Sequence, residues 1–142
     1  MLNSGPAAIR AAQGDDFQSP FEPPEMHTPA TKALQNALAT YAGVHTDATF
    51  AEYCGYLSIL GLVQGLQGAG TNPTQSSLIK SLSHITDYQA SGLWGGHFSV
   101  NWSKRPAGPT QCFWMTKLSG STFHLISGAD PVCGNVIPGK SV

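Results

Sequence analysis

The stretch Thr46–Gly70, TDATFAEYCGYLSILGLVQGLQGAG, decides how the rest of the chain is read. Phe50, Tyr53, Cys54, Leu57, Leu60 and Leu66 recur mostly three or four residues apart, the spacing of one helical face. Tyr56, Ile59, Leu62 and Val63 widen that face, so the spacing predicts a helix over about 47–67 that is apolar on most sides. Such a helix is normally buried. Gly55, Gly61 and Gly65 fall roughly on one side, where missing side chains would admit a close neighbour. Gly68 and Gly70 end it. The same glycines are no phosphate cradle, because they close a helix. A nucleotide loop must follow a strand and open a helix, so that free N–H groups face the anion.

Working outward, Thr28 suits an N-cap, Pro29 the first helical position and Gly43 the stop of a helix over about 29–42. Ala30, Ala33, Leu34, Ala37, Leu38 and Tyr41 give it one narrow apolar face. A third helix is expected over about 73–85, with Asn72 as cap, Pro73 first and Gln75 completing a capping box. Its face is Leu78, Ile79, Leu82 and Ile85. After Tyr88 the period falls to two. Phe98, Val100 and Trp102 alternate with His97, Ser99 and Asn101 and predict a strand over about 97–102. Lys104–Pro109 reads as a loop, and strands over about 111–118 and 122–126 flank Ser119–Ser121 as a hairpin. Residues 1–27, with four prolines, read as an irregular segment: a short helical piece at 6–13, then an extended crossing. The fold class is therefore α/β, three helices followed by a short antiparallel hairpin region, with residues 28–142 as the principal unit.

Composition narrows the function classes. Charged residues make up only 11% of the chain and the net charge is −1, with no Lys/Arg cluster, so no footprint for nucleic acid is present. Hydrophobic residues reach 41%, too many for a disordered chain, and a surface of Ser, Thr, Asn, Gln and Gly suits an exported protein. Met1–Gln13 lacks the apolar run of a signal peptide, so none is expected in this chain. The five histidines are dispersed without ligand spacing, and no GxSxG elbow occurs, so neither metal, cofactor nor hydrolytic chemistry is expected. Cys54 lies within the apolar helix and reads as a small core residue. Cys112 and Cys133 bracket the hairpin. In an oxidising compartment they would close a disulfide that stabilises by about 3 kcal/mol.

Several stretches taken together resemble the type I periplasmic solute-binding proteins, the Leu/Ile/Val-binding family of ABC importers. FEPPEMHTPATKALQNALATYAG resembles that family's proline-containing link and following helix, and TFAEYCGYLSILGLVQGLQGAG its next, apolar helix. NPTQSSLIKSLSHI is similar to the helix after that, and the closing strands with GADPVCGNVIPG to its terminal hairpin and tail. The likeness runs from about Phe17 to Gly139 and corresponds to the C-terminal portion of a family member, so a fragmentary product is the expectation. It implies part of a two-lobed periplasmic-binding-protein type I fold that closes on a small polar ligand, such as an amino acid or amide, without chemistry. It also implies an extracytoplasmic parent, in the periplasm or at the cell surface, that hands its ligand to the membrane permease of an ABC importer. Residues at the start of the apolar helix line the family's cleft, which points to Phe50, Glu52 and Tyr53 as ligand-facing. Two other readings compete. One is a small exported α/β interaction domain stapled by Cys112 and Cys133; the other is a hydrolase with Cys54 as nucleophile, which its helix-interior position disfavours.

Overall fold

The computed structural model describes residues 5–104, 112–126, 130–135 and 137. The expected loop over 105–109, the residue opening the expected strand, Gln111, and parts of the terminal stretch lie outside them. The chain opens with a short helix α1 (Pro6–Ala11) and then a strand β1 (Asp16–Ser19). The crossing segment is thus sheet rather than irregular chain. Four residues carry no readable period of their own, and β1 becomes a strand only through the partner it finds.

Helix α2 (Pro29–Ala37) begins where the cap signal stands, with Thr28 Oγ1 accepting the Thr31 N–H at 3.2 Å. It runs on through a wider π-turn over Leu38–Ala42 and ends on Gly43, whose φ of 66° lies in the left-handed region that glycine tolerates. Helix α3 (Phe50–Ala69) is capped by Thr49 and so begins a few residues after the expected 47, because Thr49 and Glu52 form a reciprocal capping box. Helix α4 (Gln75–Ser83) starts later than its Asn72–Pro73 signal suggested. Thr74 is the cap: its hydroxyl accepts the Ser77 N–H at 3.1 Å, while Ser77 Oγ accepts the Thr74 N–H at 2.9 Å. Gln75 is left as the first helical residue.

The strand expected over 97–102 is not formed. Val100 makes one isolated antiparallel bridge to Tyr88, and the Asn101 side chain turns the chain by accepting from the Ser103 amide at 2.9 Å. The alternation there reflects packing. Trp102 lies 4.4 Å from the Tyr88 ring and Phe98 4.4 Å from Trp94, so alternate side chains enter an aromatic cluster without a ladder.

Strand β2 (Cys112–Ser119) is the centre of an antiparallel sheet with β1 on one path and β3 (Thr122–Leu125) on the other. The two-residue β4 (Val132–Cys133) also pairs with β2, placing Cys112 opposite Cys133, and the two are joined as a disulfide. Cys112, Trp114, Thr116 and Leu118 share the buried face of β2. The main core lies beside the sheet, where Phe21, Leu34, Tyr53, Tyr88, Leu93 and Trp94 meet.

The two flanks of α3 are unlike. A Cβ built on Gly65 would sit 2.6 Å from Leu82 and 2.8 Å from Leu78 of α4, and one on Gly61 would sit 3.1 Å from Trp102. Gly68 meets Ser81 in the same way, whereas Gly55 faces open space. On the opposite flank Ile59, Leu62, Val63 and Leu66 form an i, i+3, i+4, i+7 stripe, and all four are exposed. α3 is therefore buried along its glycines, not along its widest apolar face.

Candidate functional site

A cavity of about 620 Å³ lies where the first turn of α3 meets the sheet. β1 contributes Phe17, Gln18 and Ser19, the link before α2 contributes Phe21, Pro23, Pro24 and Glu25, and residues 45–50 with Tyr53 close the α3 side. Thr116 of β2 and Phe123 of β3 complete the wall. The strands hold their part through register. Phe17 is opposite Thr116, and the Phe17 and Phe123 rings meet edge to face at 5.1 Å.

Phe21 stacks on Tyr53 at 5.3 Å with the rings 10° from parallel, and Phe50 tilts against Phe21 at 6.1 Å. Tyr53 is only 4% exposed, and its hydroxyl donates to the Glu22 carbonyl at 2.8 Å. Burial raises its pKa well above the usual phenol value, with the carboxylates of Glu25, Glu22 and Asp47 adding to the effect. Phe50, at 63% exposed, presents most of its ring. These two sequence-selected residues both stand on the cavity wall. Glu52 stands outside the lining residues. Its carboxylate accepts from the Thr49 amide at 2.6 Å and the Thr49 hydroxyl at 2.8 Å. Those bonds, the amide first, lower its pKa.

Sequence reasoning missed the remaining polar groups of the wall. Glu25 is partly buried between the link and the segment before α3. Desolvation raises its pKa, opposed by its own backbone hydrogen bond; Asp47 raises it further and His27 and His124 lower it. Asp47 accepts a hydrogen bond from Gln35 Nε2 at 3.3 Å. Thr116 is 7% exposed and is the one residue of β2 on this wall. One signal could have exposed it: a threonine stands where the alternation Cys112, Trp114, Leu118 calls for an apolar side chain. Among the described residues no three His, Cys, Asp or Glu side chains converge as a metal site, and no helix is long and apolar enough to cross a membrane.

The site is a concave, aromatic-walled pocket with a few convergent polar groups, the usual build of a small-molecule site. The family model described as periplasmic binding protein matches residues 3–122. The chain belongs to the periplasmic binding protein family. No curated protein and no solved structure gives a significant match. Periplasmic binding proteins are generally non-enzymatic and extracytoplasmic, and bind a small molecule for a transporter partner. The α/β architecture agrees with the family's two-lobed type I fold, and the Cys112–Cys133 disulfide suits an oxidising compartment. Against this match, a free-standing disulfide-stapled interaction domain is not favoured.

Proposed function

We propose that this chain is the substrate-binding portion of an ABC-type importer for amino acids, amides or similar small polar solutes. The solute is held in an interlobe cleft without chemistry and passed to a membrane permease, with the parent protein in the periplasm or on the cell surface. One observation carries the reading: Phe50 and Tyr53, at the helix start that lines the cleft of the resembled family, both border the 620 Å³ cavity. We assign them to solute contact, and Glu52 to setting the pitch and start of α3 from behind that wall.

The test is a thermal-melt screen of the protein against amino acids, their amides and related small solutes. A solute at one hundred times its Kd stabilises by about 2.7 kcal/mol, enough to raise Tm by several degrees in a chain of this size. A solute that raises Tm for the native chain but not for Phe50→Ala is the expected result. A flat response across the whole panel would sink the assignment.

A further inference from the structure

This inference rests on the reading of the 620 Å³ cavity as the solute site. We propose that it selects an organic cation: an ammonium group on an apolar body without a free carboxylate, such as an alkylamine or an amino-acid amide. Glu25 and Asp47 supply the opposing charge, and the rings of Phe21, Phe50 and Tyr53 supply the wall.

Charge is the first argument. Both acidic groups line the cavity, together with His45, and among the described residues no lysine or arginine does. Lys32 lines an adjoining recess of about 310 Å³, which shares Pro24, His45, Thr46 and Asp47 with the cavity. A solute carboxylate would therefore meet two like charges and no fixed cation. Aromatic faces add the second argument, since their negative quadrupole attracts an ammonium. Five aromatic side chains, Phe17 and Phe123 besides the three above, line this one space.

The helix terminus gives the third. The N-terminus of a long helix normally offers free N–H groups to an anion. Here the Thr49 amide donates to Glu52 and the Glu52 amide donates to Thr49 Oγ1, so two of the terminal donors are already used and a carboxylate of the chain itself sets a negative charge beside the terminus. Finally, Thr116 of β2 brings a hydroxyl to the same wall. It can accept from an ammonium or donate to an amide carbonyl.

The groups facing Glu25 fix the direction of pH dependence. Asp47 opposes its ionisation and His27 and His124 favour it, while burial is the largest influence. A bound ammonium restores what burial removes. Cation affinity accordingly rises with pH through the Glu25 ionisation, which lies above the ordinary carboxylate range.

The experiment is an amide chemical-shift titration of the full chain near neutral pH with n-butylammonium, leucinamide, leucine and butyrate. Leucinamide and n-butylammonium are expected to shift resonances of residues 45–53 and Thr116 saturably. Leucine should bind at least tenfold more weakly, and butyrate should leave those resonances unmoved. Glu25→Gln should weaken leucinamide about tenfold and narrow its advantage over leucine. Phe50→Leu, at an exposed ring where folding is not at stake, should weaken it about threefold to tenfold. Leucine or butyrate binding as tightly as leucinamide would overturn the cation preference and leave the solute-site reading standing. Cation binding unchanged in both variants would overturn it as well. Silence from all four probes refutes the cation proposal, and the wider thermal panel then decides the solute-site reading separately.

Discussion

The two flanks of α3 are made of the same helix and meet opposite fates. One flank, with Gly61, Gly65 and Gly68, is pressed against Trp102, Leu78, Leu82 and Ser81. The other, with Ile59 at 60% exposure and Leu62, Val63 and Leu66 beside it, faces solvent. Hydrophobicity alone ranks these flanks the wrong way round. Close approach decides instead: without Cβ atoms, the glycine flank lets α4 come near enough for leucine side chains to lie on its backbone, where dispersion contacts are densest. The larger side chains on the far flank would hold α4 away.

Four variants break or sharpen this contrast. Gly65→Leu has the largest expected effect, a loss of about 3 kcal/mol from overpacking against Leu78 and Leu82, read as a fall in the urea midpoint. Gly55→Ala, whose new Cβ meets nothing within 4 Å, should instead gain about 0.5–1 kcal/mol from helix propensity. If the two variants move stability alike, the flanks are not distinct. Next in size is Thr49→Ala, which removes the cap of α3 and costs about 1 kcal/mol. That loss has a pH signature. The folded-state pKa of Glu52 is depressed, so its contribution is present above the unfolded carboxylate value and fades as pH falls through the folded one. Thr49→Ala keeps the backbone amide that Glu52 accepts from and loses only the hydroxyl, so its gap to the native chain should narrow without closing as the medium is acidified through that range, followed by circular dichroism. Smallest is the double change Leu62→Ser and Leu66→Ser on the exposed flank, which should alter stability by less than about 0.5 kcal/mol per site. Tertiary packing on that flank would show itself as a loss several times larger.

The helices were legible because their signals are local. Thr28 with Pro29 and Gly43 marks both ends of one helix without reference to anything distant. The α4 start slipped because two capping signals overlap within 72–77, and only the backbone shows that the Thr74–Ser77 pair closes. Hydroxyls at both positions satisfy the Thr74 and Ser77 amides, two residues on from those an Asn72–Gln75 pair would serve. The glycines of α3 were readable as a close-approach side, but Gly55 was grouped with them. At 100° per residue it points well away from Gly61 and Gly65, toward open space. Phe98, Val100 and Trp102 misled because a period of two arises whenever alternate side chains face a core, with or without a paired strand. At the cavity, Phe50 and Tyr53 were within reach only through the family resemblance, which points to the start of this helix. Glu25 and Thr116 were not. They come from a proline-rich link and a distant strand, and only tertiary folding brings them to the same wall.

The pairing of Cys112 with Cys133 does more than shorten the unfolded chain. Side chains on a strand alternate between faces, so sliding β2 by one residue against its neighbours would turn Thr116 out of the cavity and bring Met115 or Lys117 in. The second of these is a cation, set among Glu25 and Asp47. The disulfide fixes the β2–β4 pair at Cys112 and Cys133, on the same face of β2 as Thr116. A covalent bond at the sheet's edge thus acts on which side chains of β2 reach the cavity.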